Sequence, residues 1–490
     1  MTNKVSRVSS LLLFVTIPFL AACSSAAILT PEVPTMVPNT STPVPTNTPA
    51  ITPTHSTSTI YAITNVAVVD VENSISIPNQ TVIVSGDRID RFGDQGKVTI
   101  PQDAQIIDGN GLYLMPGLVD AHVHFIDPET FGRVMVANGV LLVRDTGLPT
   151  DIVLTIREAL NQGAMVGPEM IVTGAILDGD PPLIPPVSEG IKTPEDGRIA
   201  VRQHAAAGVD QIKVYSKLTK EEFLAIVDEA DKVGLKVVGH VPDSIYIEDA
   251  AAAGLKSSEH FFGFEKVIAK LLGEPVKLTY NGMGSDAANF LRLDQVDPQK
   301  LQAEFKKLKA DGLTVCPTVI TFKVFTKNNT FLTGNFPMSE YISQAVFDNW
   351  INLWSGQADL PDFIWQNWAK MVNELNRAGV PLMVGTDLST PGIIPGFSVH
   401  EEMAIWQEAG IPTADVLRGA TLIPAQFMGL GDRLGSVDEG KTASMVLVRA
   451  NPLEDIHNAQ QIEAVFLKGQ YFDRQAIDRL IQEAKDLARR

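Results

Sequence analysis

The chain has 490 residues, 45% hydrophobic and 20% charged, which suits a globular protein with a large core and excludes a disordered or fibrous class. A net charge of −18 argues against nucleic acid as a partner, because neutralising phosphates needs clustered Lys and Arg. The length accommodates one barrel of about 250 to 300 residues plus a smaller module.

At the N-terminus, Lys4 and Arg7 precede an apolar stretch from Leu11 to Leu20, too short for a stable membrane span and fitting a signal peptide over 1–22. Leu20-Ala21-Ala22-Cys23 follows and resembles a bacterial lipobox, in which Cys23 becomes the lipidated first residue of the mature protein. The simpler alternative is a secretory signal with an incidental cysteine. With Cys23 lipidated, Cys316 is the one remaining thiol and no intrachain disulfide forms. Residues 23–59, rich in Pro, Thr and Ser, read as a disordered tether. The expected location is therefore extracytoplasmic, with the membrane reached through the N-terminal lipid alone.

Residues 60–115 carry short β-rich runs separated by turn residues, and the same texture returns over 429–475, before a C-terminal helix at 476–490. Two strand-rich ends flanking one body pair most simply into a single small β-sandwich. The body, 116–428, alternates strands and helices. Strands are predicted at 117–122, 140–144, 170–173, 211–215, 236–240, 257–260, 314–318 and 381–385, the count of an α/β fold of the (β/α)8 (TIM) barrel type. Thr219 and Glu222 predict a capping box, followed by a helical stripe of Phe223, Ile226, Val227, Ala230 and Val233 that packs on the barrel.

Catalytic side chains of such a barrel stand at the C-terminal ends of strands. His122 and His124 alternate with valine at the end of the first strand, so both point to one side, as metal ligands on a strand do. Lys213 lies in the fourth strand, His240 ends the fifth, His260 ends the sixth and Asp387 follows the eighth. Together they suffice for two divalent cations, zinc by default given imidazole and oxygen ligands without thiolate. Taken singly, His240 and His260 also read as satisfied core histidines, and Asp387 as a helix N-cap. Tyr215, two residues past Lys213, should face the same side and contact a substrate carboxylate or oxyanion. His400 reads equally as an outer partner of the site, a substrate-facing residue or a surface helix start. His55, His204 and His457 read as solvent-facing. Trp350 and Trp354, and Trp365 and Trp368, are spaced to share helix faces and read as packing. A further expectation is that their segment covers the site mouth and selects the substrate.

Ile107-Asp108-Gly109, Leu114-Met115-Pro116-Gly117-Leu118-Val119-Asp120-Ala121-His122-Val123-His124, Ile212-Lys213-Val214-Tyr215, Val238-Gly239-His240, Ser258-Glu259-His260, Gly385-Thr386-Asp387 and the tail Leu434-Gly435-Ser436-Val437 through Asn451-Pro452-Leu453 occur in this order. In these motifs the chain resembles the amidohydrolase superfamily, and within it the binuclear, prolidase-like and imidazolonepropionase-related branch. The resemblance spans about residues 60–475, with Ala443-Ser444 where the family has Ala-Asp. It implies that Lys213 reacts with carbon dioxide to give a carbamate bridging two metals. One metal would take His122, His124, Lys213 and Asp387, the other Lys213, His240 and His260. Charge balance agrees, since two divalent ions meet Asp387, a carbamate and a bridging hydroxide. The implied reaction is hydrolysis of an amide or peptide-type C–N bond, as by a dipeptidase or N-acyl amino acid hydrolase, with Asp387 handling the proton. Two rivals stay open: a mononuclear cyclic amide or lactone hydrolase or deaminase, and a lipid-anchored ligand-binding protein. The substrate and the oligomeric state are not written in these residues.

Overall fold

The computed structural model describes residues 59–490 except 279, 281–286, 335 and 356–358. Cys23 and His55 lie outside the described residues, as does the side chain of Trp354. Among the described residues no helix is long and apolar enough to cross a membrane.

Five strands precede the barrel: β1 (Ile60–Asp70), β2 (Ile75–Ser85), β3 (Arg88–Asp94), β4 (Gln105–Asp108) and β5 (Tyr113–Pro116). The barrel follows with β6 (Leu118–Val123), β7 (Val140–Asp145) and β8 (Glu169–Val172), continues through a short arm of β9 (Ile176–Gly179) and β10 (Ser188–Ile191), and resumes with β11 (Gln211–Val214), β12 (Lys236–Gly239), β13 (Leu255–Glu259) and β14 (Thr314–Cys316). The chain then returns in β15 (Met445–Val448), β16 (Ile462–Leu467) and β17 (Gln470–Phe472) and ends in the helix Arg474–Ala488.

Strands from both ends join one sheet, ordered β17-β16-β15-β5-β1-β2-β3 with β4 also on β1. The β5–β15 pairing, Met115 opposite Val446, stitches the two ends together just before the barrel begins. The sheet curls back on itself. Tyr61 of β1 meets Phe466 of β16 at 5.6 Å between ring centres, although β15 and β5 separate their strands. Ile63, Val66, Val82, Leu114, Met445 and Phe466 fill the space so enclosed, a core distinct from that of the barrel.

In the barrel, β6-β7-β8 run parallel, as do β11-β12-β13-β14. The gap between β8 and β11 is closed by Asp210, whose N–H donates to the Val172 carbonyl and whose carboxylate accepts from the Val172 N–H, both at 2.9 Å. The eighth staves are residues 381–385, which differ from a regular strand and form one bridge, Val315 to Leu382. They bond on both sides nonetheless: Met383 N–H to Val315 O at 2.9 Å, and Ala121 N–H to Val384 O at 2.9 Å. Pro381 offers no N–H to a ladder. Gly385 permits the close approach, since a Cβ there would lie 2.5 Å from Cys316 Sγ and 3.0 Å from His122 Cβ.

The helix Lys220–Lys232 begins at the predicted capping box, with the Thr219 hydroxyl and the Glu222 carboxylate each accepting the other's N–H. Phe223, Ile226, Val227 and Ala230 are buried on the barrel as the stripe requires. Val233 departs from it, because the helix ends one residue earlier and leaves its side chain exposed.

Candidate metal centre

The C-terminal strand ends converge four imidazoles. Ring centres are 5.7 Å apart for His122 and His124, 4.4 Å for His122 and His260, and 5.1 Å for His240 and His260. Asp387 joins them, its Oδ1 3.4 Å from both His122 Nε2 and His124 Nε2, while its N–H donates to the His122 carbonyl at 2.8 Å. The donor atoms of His122, His124 and Asp387 all lie within 4.8 Å of one another, close enough to share one cation.

Each ring is held by its other nitrogen. His122 Nδ1 meets Glu259 Oε2 at 2.7 Å, His124 Nδ1 the Gly147 carbonyl at 2.9 Å, His240 Nδ1 the Ser216 hydroxyl at 3.2 Å and His260 Nδ1 the Thr318 hydroxyl at 2.6 Å. A carboxylate and a carbonyl can only accept, so His122 and His124 carry their proton on Nδ1 and present an Nε2 lone pair. His122 Nε2 is buried and has no hydrogen-bond partner. An orphaned acceptor at the meeting point of imidazoles and a carboxylate is costly unless a cation takes it. The donor set thus fits a divalent metal such as zinc.

Electrostatics agree with neutral ligands at His122, His240 and His260. At His124 the pull of burial is outweighed by the Asp387 carboxylate, with Asp145 and the Gly147 carbonyl, and the ring is raised above its ordinary value. Burial, reinforced by the Lys213 cation, holds His122 and His240 well below the ordinary imidazole range, and burial brings His260 down to about 4. For Asp387, burial alone would push the carboxyl up, but His260, His124 and His122 outweigh it and keep the group ionised. Lys213 is 1% exposed, and burial lowers its ammonium to about 8 against the attraction of Glu259. A lysine so placed is readily available as the neutral amine. Gly239 makes room for it: at φ +136°, a Cβ there would meet the Val214 carbonyl at 2.2 Å and Lys213 Cδ at 3.1 Å.

His240 stacks on Tyr215 at 3.9 Å and on Phe262 at 4.0 Å between centres, one on each side, since two rings cannot share one face of an imidazole at these distances. Tyr215 is 6% exposed and stands just beyond the end of β11. Five non-glycine residues at the strand ends, His260, Phe261, Thr318, Asp387 and Ser389, have positive φ. Such backbone persists where its surroundings over-determine it, as at functional sites.

Two histidines stand elsewhere than expected. His204, read as solvent-facing, is 2% exposed: it continues the buried stripe Gly197, Ala200, Val201 of the helix Pro194–Ala207, and Glu189 satisfies its Nε2 at 2.9 Å. His457 is exposed as expected. His400 is neither a partner of the site nor a surface residue. It is 3% exposed in the helix Phe397–Glu408, its Nε2 donating to the Asn138 carbonyl at 3.0 Å, and burial lowers it to about 4. A folded value below the ordinary 6.5 means stability is present above pH 6.5 and lost as pH falls toward 4. His400→Gln should therefore lose about 2 kcal/mol less stability than the parent between pH 7 and 5, by the linkage relation. Urea unfolding at both pH values checks this, and identical pH dependence would contradict it.

Residues that sequence reasoning passed over bind the site from behind. Asp120 accepts from Thr386 N–H at 3.0 Å and Thr386 Oγ1 at 2.6 Å, tying β6 to the eighth segment. Glu259 accepts from Arg144 Nη2 at 2.8 and 3.0 Å and from Ser257 Oγ at 2.5 Å, and Arg144 Nε donates to the Ala121 carbonyl at 2.6 Å. Burial alone would raise the Glu259 carboxyl, yet Arg144 and then His122 hold it well below the usual range. The available signal was local: Arg144 directly follows the apolar run Val140-Leu141-Leu142-Val143, and Glu259 stands directly before His260. Glu259→Gln keeps the shape but weakens the grip on His122. It should lower metal affinity roughly 10- to 100-fold, the usual range for an outer partner of a ligand, as read by chelator competition. Unchanged affinity would refute this role.

A model of the Amidohydrolase family matches residues 113–471, well over half of the chain. The chain belongs to the amidohydrolase family. Its fold is that family's: a (β/α)8 barrel with a β-sandwich built beside it. As a member of this family it is a hydrolase acting on carbon–nitrogen bonds, and the family's members are metal-dependent. Among curated proteins, it is similar to ochratoxinase of Aspergillus niger, 23% identical over 415 residues that cover 72% of this chain and 73% of that protein. A dihydroorotase of Wolbachia sp. subsp. Drosophila simulans is 42% identical over 67 residues, 14% of this chain and 15% of that protein. Among solved structures, bottromycin amidohydrolase superposes with a TM-score of 0.70 at 22% identity, covering 88% of this chain and 90% of its own. A Xaa-Pro dipeptidase with bound methionine gives 0.63 at 19% identity, covering 85% and 100%. At these identities the superpositions speak for the fold.

Proposed function

We propose that this amidohydrolase cleaves an amide or peptide-type C–N bond of a small molecule, as a dipeptidase or N-acyl amino acid hydrolase does, using two divalent cations, zinc by default. The observation that carries the reading is the convergence of His122, His124, His240, His260 and Asp387, with every Nδ1 engaged and the His122 Nε2 left over. His122, His124 and Asp387 would hold one cation and His240 and His260 the other. Lys213, buried and electrostatically coupled to His122, His240 and His260, would serve both as a carbamate. The names of its relatives, a Xaa-Pro dipeptidase and a bottromycin amidohydrolase among them, support peptide-like substrates without fixing one.

Held by these side chains, divalent cations would supply Lewis acidity, polarising a carbonyl and lowering the pKa of water so that hydroxide is available near neutral pH. Asp387 then accepts the proton from the attacking water and passes it to the leaving nitrogen, for which an ionised carboxylate beside two imidazoles is suited. Thr390 Oγ1, donating to Asp387 Oδ2 at 3.0 Å, leaves Oδ1 to face the histidines. Tyr215, packed against His240, is assigned to a substrate carboxylate or oxyanion. The experiment is a hydrolysis screen over dipeptides, N-acyl amino acids, cyclic amides and lactones. Chelator-sensitive release of amine from the first two groups supports this reading, and turnover of cyclic amides or lactones alone would replace it with the mononuclear alternative.

A further inference from the structure

Between β14 and the eighth barrel segment the chain inserts a run of helices, among them Val319–Phe325, Asn328–Phe331, Gln344–Trp354 and Phe363–Ala378. Trp350 and Trp368 are buried there as packing residues, and Trp365 lies under Lys323. The insertion also grips the segment carrying Asp387. Thr321 Oγ1 donates to the Thr386 carbonyl at 3.2 Å, immediately before Asp387. The Trp350 indole N–H donates to the Ser389 carbonyl at 2.9 Å, two residues after it. Further along, a Cβ on Gly392 would lie 2.7 Å from the Phe331 ring.

These grips fall on backbone that does not hold its shape by itself. Asp387 and Ser389 both have positive φ, 59° and 93°, and neither is glycine. Each such residue costs of order 1–3 kcal/mol and needs surroundings that fix it. Within the segment, Thr390 N–H returns to the Asp387 carbonyl at 3.1 Å and Thr390 Oγ1 to the Asp387 carboxylate. The Ser389 carbonyl is taken by Trp350 instead. That indole is wholly buried, with Phe336 and Phe347 at 6.0 and 6.5 Å between ring centres, so its N–H direction is fixed by packing.

We propose that Trp350 is a positioning residue for Asp387: by holding the Ser389 carbonyl from the insertion, it keeps the carboxylate aimed at His122 and His124. This rests on Asp387 as the proton acceptor. It also changes the part expected of Trp350, because a buried indole that bonds the catalytic loop acts on rate rather than on substrate preference.

Trp350→Phe keeps an aromatic ring and removes the N–H. With metal content and thermal midpoint near the parent's, kcat should fall roughly 10- to 100-fold, the effect of a small misplacement of a reacting group, while KM changes little. Should Trp350→Phe fold poorly, Thr321→Val removes the matching bond on the other side of Asp387 and should show the same split between kcat and KM. Parent-like kcat in a folded Trp350→Phe protein, or in Thr321→Val where the first fails to fold, would overturn the proposal. A loss of rate explained wholly by a smaller metal-loaded fraction would overturn it too. Asp387→Asn measured alongside separates the layers: an active Asp387→Asn refutes the proton-acceptor reading itself. An inactive Asp387→Asn beside a fully active Trp350→Phe refutes the positioning role alone.

Discussion

Asp387→Asn is expected to lower kcat by roughly 10²- to 10⁴-fold, the share of rate that a positioned acid–base group supplies. That equals about 3–5 kcal/mol of transition-state stabilisation. Asparagine keeps the outline and can still accept the Thr390 hydroxyl, so the fold and the left-handed backbone at φ 59° should survive, asparagine being among the residues that tolerate it. What disappears is the ionised carboxylate 3.4 Å from two imidazole nitrogens, the group able to take a proton from water and deliver it to a leaving amine. Steady-state kinetics on a metal-replete sample, with metal content measured on the same preparation, separate lost chemistry from lost cations. Activity within tenfold of the parent would remove Asp387 from the proton-transfer step.

The second large effect is expected at Lys213. Lys213→Met keeps the length and apolar stem of the side chain in a site that is 1% exposed, and removes the nitrogen. If that nitrogen carries a carbamate, both cation positions lose a shared anionic ligand. The loss should then exceed the 10- to 100-fold typical of an outer partner, in metal affinity and in activity together. A plain ammonium predicts the opposite. Removing a buried positive charge next to His122, His240 and His260 would ease repulsion and tighten cation binding. Equilibrium dialysis against zinc therefore distinguishes the two states by the sign of the change. Tighter binding in Lys213→Met would rule the carbamate out.

The sequence made the strand-end ligands legible because barrel strands alternate their faces and place chemistry at one end. His122 and His124, alternating with valine, were placed on one side for that reason, and the capping box at Thr219 and Glu222 announced its helix through a purely local pattern. Where a residue's fate depends on a distant segment, local patterns fail. His204 looked polar on a helix, yet its position continues the stripe of Gly197, Ala200 and Val201 and its partner Glu189 comes from β10. His400 was ambiguous until Asn138, 262 residues away, supplied its acceptor. Glu259 and Arg144 were invisible as a pair, because 115 residues separate two charges that meet only inside the closed barrel. Residues 381–385 read as an ordinary strand but bond through a single bridge and scattered N–H groups, since Pro381 and the turn at Asp387 leave little room for a ladder.

The six residues read first, His122, His124, Lys213, His240, His260 and Asp387, bear the weight of the whole account, and metal stoichiometry tests them most directly. Protein purified with bicarbonate and zinc should hold two equivalents of zinc per chain, falling to one or fewer in Lys213→Met and in His240→Ala. A single equivalent in the parent, unaffected by either substitution, would contradict the two-cation centre.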